Sequence, residues 1–347
     1  LLRVTNEISH PYYFKESVGD CLNKAIWNVV SFIIFPIGMY RASFHLLNKY
    51  VISKFILPST MSCYRKQKLI DEGDSTANYF NTDMRKITKL KIKTSEGIYL
   101  DGVSVVSPKQ KDIPANNQKW LVYALPNMGV WQHYIKEFIH LSDKCGINVI
   151  CVNYRGTGNS SPIQPLSFTD LFSDAEHSVL TLLKDGVRLQ NIVIEGFSLG
   201  GASGLALGAK YQISAIAQNT FAKTSLVAKN ILRRMPFKWM RSHFFYSIVK
   251  KILKRTGWEV DSRKPASILK NRLLIIQASH TDNVIPYRAS LIKFFPVNPN
   301  GPHTSHLPTY LDPKIAHCVT AKPYRRELPS DRVFYLFLKQ NGFLSFQ

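Results

Sequence analysis

Residues 191–195 read NIVIE and run directly into Gly196-Phe197-Ser198-Leu199-Gly200-Gly201. An apolar strand, a serine framed by glycines and a following helix form a pattern with chemical potential. The chain must reverse sharply between strand and helix, and Gly196 and Gly200 lack the Cβ that would block close backbone approach. Gly201 relieves crowding at the helix start. Such a turn lifts the Ser198 hydroxyl above the strand ends, at the positive end of a helix. A serine hydroxyl is a weak nucleophile until a base takes its proton. The base is expected to be a histidine late in the chain, with an orienting acid between nucleophile and base.

The acid position follows the apolar run Leu273–Gln277, where 278–286 read ASHTDNVIP. Asp282, just past a strand and before a Val-Ile-Pro turn, is expected to hold an imidazole. Its alternative role is an Asx-turn or a helix cap. Asp261 is the second choice because it precedes the strand. Three histidines lie downstream: His303 and His306 in the turn-rich GPHTSHLP, and His317 in DPKIAHC, which reads as a helix. His306 is the preferred base, His303 the alternative and His317 the third choice. His280 would lie at the site edge. An oxyanion needs two donors: the amide of Leu199, after the nucleophile, and an amide from the loop Leu125-Pro126-Asn127-Met128-Gly129. Met128 is the preferred second donor, with Asn127 beside it. The loop 153–160, NYRGTGNS, reads as scaffold, with Arg155 in a structural ion pair.

These residues need elements to hold them. From residue 119 the chain alternates apolar strands (120–125, 148–153, 191–195, Ser214–Gln218, Leu273–Gln277) with helices (132–144, 168–183, 199–210). Thr169 is the expected N-cap of the second helix. This alternation predicts a mostly parallel α/β sheet covered by helices on both faces. Before it, 87–92 and Tyr99–Val106 alternate apolar with polar residues around Gly97, which predicts a β-hairpin. Residues 1–80 read as a helical extension, with Phe44, Leu47, Val51 and Phe55 at helical spacing. Residues 81–347 then form the main domain. Within it, about 221–266 are a helical, strongly basic insertion placed as a cap over the carboxyl edge of the sheet.

The chain has 347 residues, 45% of them hydrophobic, with 45 Lys+Arg against 23 Asp+Glu and a net charge of +22. That apolar content excludes intrinsic disorder. The five cysteines form no CxxC pair, which argues against a disulfide scaffold or a zinc ribbon and for a reducing compartment. No cofactor or metal is implied. The charge suits anionic partners. No nucleic-acid-binding motif accompanies it, so a nucleic-acid partner is not expected. Residues 25–40 are uncharged but shorter than the ~20 residues of a spanning helix. They are read as a helix against the main domain or as a shallow membrane contact beside Trp27.

The elbow GFSLGGA, the NYRGTG loop and the Asp282 position resemble the alpha/beta hydrolase superfamily over about 85–320. With PNMGVW and GWEVDS, the chain is further similar to an effector branch of intracellular pathogens such as Legionella and Chlamydia, of the SidB/SdbB type. The resemblance implies an eight-stranded sheet and a Ser-Asp-His hydrolase. Its substrate would be an acyl ester, lipase- or esterase-like, and the apolar N-terminal helices and basic insertion would bring the chain to an anionic membrane. It also implies delivery into a host cell, and the cysteine usage suits a cytoplasmic location. Pro126-Asn127 departs from the His-Gly pair of the family. The alternative is a catalytically silent effector of the same fold that binds membrane or a host protein.

Overall fold

Continuous apolar runs flanked by helices on both sides have one stable arrangement, a sheet buried on both faces. The strands are β1 (Lys86–Lys93), β2 (Tyr99–Val106), β3 (Trp120–Ala124), β4 (Asn148–Val152), β5 (Ile192–Phe197), β6 (Ser214–Gln218), β7 (Leu273–Gln277) and β8 (Thr309–Leu311). They form one eight-stranded sheet in the order β1-β2-β4-β3-β5-β6-β7-β8. β1–β2 and β2–β4 pair antiparallel. The other five pairings are parallel. The expected hairpin is the β1–β2 pair, closed through Gly97 at φ 77°. Every residue of β3, β4 and β5 is buried. This computed structural model describes residues 35–52, 56, 63–82, 85–127, 129–269, 272–277, 282, 284–295, 309–311, 337–339 and 341–343.

The helices are α1 (Phe35–Leu47), α2 (Cys63–Phe80), α3 (Trp131–Cys145), α4 (Phe168–Lys184), α5 (Leu199–Tyr211), α6 (Thr224–Arg234), α7 (His243–Arg255) and α8 (Arg263–Leu269). Tyr123 and Glu195 are in register on β3 and β5, so they share one face, and Ile194 points to the other. α3 covers the first face, with Phe138 and Tyr134 ring centroids 5.2 and 5.3 Å from that of Tyr123. α5 covers the second. A Cβ on its Gly204 would lie 3.2 Å from Ile194. α4 is capped by Ser167, two residues before the expected Thr169. The Asp170 carboxylate reaches back to the Ser167 amide at 3.1 Å, while Ser167 Oγ accepts from the Asp170 amide at 3.4 Å. This reciprocal box needs an acid at the third helical position, which Ser167 has and Thr169 lacks.

Between β6 and β7 the chain leaves the sheet as α6, a short turn Lys238–Arg241 and α7. It returns at Asp261, which bridges Lys223. The Ser262 amide donates to Ala222 O at 2.9 Å and closes the neck of the excursion. α8 then rejoins the body, burying Ala266 and Leu269 against Leu205 and Leu273.

α1 continues into a π-helical turn, Asn48–Ile52. There Asn48 is buried, donating to Leu166 O and accepting from Trp258 Nε1 at 2.9 Å. This polar link joins the N-terminal segment to the end of the excursion between β6 and β7. The proposed membrane-contact run 25–40 lies mostly outside the described residues, as does Phe55. Among those described, no helix is long and apolar enough to cross a membrane.

Candidate active site

Ser198 sits between the last residue of β5 and the first of α5 with φ 55° and ψ −114°. This backbone region is costly for a residue with a Cβ and persists only where the surroundings force it. Here they do. The Ser198 amide donates to Gln218 O at the end of β6 (2.9 Å), and Ser198 O accepts from the Gly201 amide (3.1 Å). The glycines carry the steric load assigned to them. A Cβ on Gly196 would lie 2.2 Å from Gly200 O, and one on Gly200 would lie 2.0 Å from Ala124 O. On Gly201 it would strike Thr220 Oγ1 at 1.7 Å. Leu199 opens α5, so its amide is one of the N-terminal donors that a helix leaves unsatisfied.

The close approach of Gly200 to Ala124 and Leu125 brings the loop after β3 beside the elbow. Tyr154 and Asn153 fix that loop. The Tyr154 hydroxyl donates to Leu125 O at 2.8 Å. The Trp131 amide donates to Asn153 Oδ1 at 2.7 Å. Asp101 gathers the same loops, accepting from Asn153 Nδ2 (2.7 Å), Gln132 Nε2 (3.0 Å) and Trp131 Nε1 (3.1 Å). Burial raises its pKa, and these donors work against that rise. Asn127 lies at the turn of the loop, whose Gly129 amide donates to Pro126 O at 3.0 Å. Met128, the expected second donor, lies outside the described residues.

Asp282 follows β7, the neighbour of β6 in the sheet, and is 1% exposed. Its Oδ1 accepts from the amides of Val284 (2.8 Å) and Ile285 (2.7 Å). Thus the Asx-turn weighed against the acid role exists, and it fixes the carboxylate's orientation. Asp261 is committed elsewhere, to Lys223 (3.2 Å) and Arg263 (2.7 Å) at the cap neck. Burial works to raise its pKa, but hydrogen bonds from Arg263 and Lys223 outweigh burial and hold the carboxyl below its usual value. His280, His303, His306 and His317 lie outside the described residues.

Arg155 is structural, as the sequence suggests. It pairs with the fully buried Asp174 at 2.8 Å and with Glu96 at 2.9 Å. Glu195 was not singled out by sequence. It directly precedes Gly196 and is buried, with Gln218 Nε2 donating to Oε1. Burial first, and then the nearby Glu137, push its carboxyl well above the usual range. No group of His, Cys, Asp or Glu among the described residues is arranged to hold a metal ion.

A family model described as alpha/beta hydrolase fold matches residues 121–245. Among solved structures, an esterase from Pyrococcus furiosus is 18% identical with a TM-score of 0.52, covering 74% of this chain and 90% of that one. An acetyl xylan esterase from Paenibacillus sp. R4 is 14% identical with a TM-score of 0.52, covering 82% of this chain and 96% of its own. Acetyl xylan esterase 1 from Thermoanaerobacterium sp. gives the same identity and TM-score, with 79% and 98% covered. Comparison with curated proteins gives no match. The chain has the alpha/beta hydrolase fold. These matches carry the fold and give no support to the narrower effector branch.

Proposed function

We propose that the chain is a serine hydrolase that cleaves an acyl ester. The observation that carries this reading is Ser198 at φ 55° in the glycine-packed turn between β5 and α5. Strain of this kind is retained where a hydroxyl must be presented to a reacting group. In the reaction, a histidine takes the Ser198 proton as Oγ attacks the ester carbonyl. The amides of Leu199 and Met128 hold the developing oxyanion, and the same histidine protonates the departing alcohol. Water then attacks the acyl-enzyme by the reverse proton path. Asp282 orients the imidazole and stabilises its cation, with Oδ1 held by the Val284 and Ile285 amides.

The direction of β8 bears on the choice of histidine. In open parallel sheets, reacting groups gather beyond the carboxyl ends of the strands. β8 runs parallel to β7, so its carboxyl end, Leu311, lies at the same edge as the elbow. His317 follows that end by six residues, whereas His306 and His303 precede the amino end of β8. This favours His317 over the His306 preferred from sequence. The similarity to esterases favours an ester over an amide substrate. A lipid ester at an anionic surface suits Phe237, Trp239 and Phe244, exposed at 59, 61 and 76% beside Lys238, Arg241, Lys250 and Lys251.

A panel of p-nitrophenyl esters of increasing acyl length tests the reading. Ser198→Ala is expected to remove turnover while keeping the parent's melting temperature. His317→Ala is expected to lose about a thousandfold or more in kcat, as triad members act as a unit. Full activity in Ser198→Ala contradicts the nucleophile. Loss in His306→Ala with retention in His317→Ala returns the base to His306. A parent without turnover on any ester favours the silent effector.

A further inference from the structure

A cleft of about 730 Å³ lies between α6 and the segment 286–293. One wall carries Lys229, Asn230 and Arg233 on a single face of α6, and the other carries Arg288 and Lys293. Among the described residues no carboxylate lines it. At the neck of the insertion, by contrast, Lys223 and Arg263 share the Asp261 carboxylate. The four cations of the cleft have no ion pair among the described residues. The Lys229 ammonium is held 4.9 Å from the Tyr246 ring centroid. Asn230 Nδ2 is buried and has no hydrogen-bond partner among the described residues, so a donor lies in this wall without a described acceptor.

We propose that this cleft binds a phosphate-bearing organic group, a phosphomonoester or a pyrophosphate. Like charges held together without counter-charges repel one another, and an arrangement of four suits a multiply charged anion better than a single carboxylate. Two arginines among the four provide the planar forks that match phosphate oxygens. The volume is in the range of small-molecule pockets and far exceeds a bare phosphate, which leaves room for the organic part. The cleft is also joined to the catalytic edge. The Leu291 amide donates to Thr220 O (2.8 Å), the Ala222 amide to Ala289 O (2.8 Å) and the Ile285 amide to Asp282 Oδ1 (2.7 Å). Segment 286–293 is thus clamped between the acid and the chain leaving β6. An ester whose alcohol or acyl part carries phosphate would anchor here and present its carbonyl towards Ser198. Only this last step rests on the hydrolase reading; the binding site does not.

Titration calorimetry of the full chain with inorganic pyrophosphate tests the site. Saturable binding is expected. Arg233→Gln with Arg288→Gln should weaken it by roughly a hundredfold, about tenfold for each charged hydrogen-bond donor lost. The pair Lys250→Gln with Lys251→Gln removes equal charge from α7 without touching the cleft lining, and should weaken it by no more than about threefold, because exposed charges that make no direct contact are largely screened. Both cleft arginines are exposed, so the variants should keep the fold. No pyrophosphate binding, or equal weakening by the two pairs, overturns the proposal. Glycerol 1-phosphate and phosphatidylcholine vesicles with phosphatidic acid then separate the sources. Arginine-dependent binding of the soluble phosphoester assigns the cleft to soluble ligands. Arginine-dependent binding of the vesicles alone assigns it to a lipid headgroup, and arginine-independent binding of both overturns the site. Finally, kcat/KM on a phosphorylated ester should fall in the arginine pair while that on a neutral ester of equal acyl length is unchanged. If the parent hydrolyses neither ester, the hydrolase reading fails while the calorimetry still decides the cleft.

Discussion

At Ser198 a single residue is held at φ 55° by its neighbours, and the neighbours are glycines because nothing larger fits. Gly200→Ala places a methyl 2.0 Å from Ala124 O, a backbone atom that cannot swing aside. We expect a loss of about 1–3 kcal/mol, the usual cost of overpacking, read as a lower chemical-denaturation midpoint. A neutral result would mean that the strand and helix can part without penalty. This feature was legible in sequence because glycine spacing encodes a backbone requirement directly. The state of Glu195 was not, because its burial depends on β3, β6 and α3 together. Its carboxyl is raised by burial and then by Glu137. The folded chain therefore retains a proton that the unfolded chain releases above about pH 4.3. The stability tied to that proton is complete below this value and is lost as pH climbs towards the folded pKa. Glu195→Gln lacks this loss, so its melting temperature relative to the parent should rise between about pH 5 and about pH 8. A constant difference across that range would contradict the assigned shift.

At the scale of elements, strand–helix alternation was readable because buried parallel strands are continuously apolar and most of the helices between them are amphipathic, whereas α5 is buried almost throughout. Boundaries moved by a residue or two, and the α4 cap moved to Ser167, where the reciprocal acid is available. β8 escaped notice because Thr309–Leu311 is only three residues long and carries no period. Its direction bears on the proposed base, because β8 runs parallel to β7 and its carboxyl end lies at the edge that carries the elbow. The Arg155–Asp174 pair clamps the loop after β4 to α4, with side chains 5% and 0% exposed. Asp174→Asn leaves the guanidinium without its buried counter-charge. A loss of about 3–5 kcal/mol follows from breaking a buried pair by removing one partner. Thermal and urea unfolding should both register it, and an unchanged midpoint would show that Glu96 alone satisfies Arg155.

Across the whole molecule, a net charge of +22 is joined to an exposed aromatic ridge on the cap. The composition made the charge plain. The ridge, and the Asn48–Trp258 link between residues 210 apart in sequence, were set by tertiary packing. Each Lys or Arg near an anionic surface adds roughly 1 kcal/mol, screened within a Debye length. Binding to vesicles containing phosphatidylserine should therefore weaken as salt rises, and Trp239→Ala with Phe244→Ala should weaken it further. Equal binding to neutral vesicles would remove the electrostatic role. All of this serves the site only if Ser198 is an activated nucleophile. The most direct measurement is to treat the folded, intact chain with a fluorophosphonate and map the adduct by peptide mass spectrometry. We expect one phosphonyl group on Ser198 Oγ and none on the Ser198→Ala chain. An unmodified Ser198 in the folded protein, or labelling that persists in Ser198→Ala, would contradict the account.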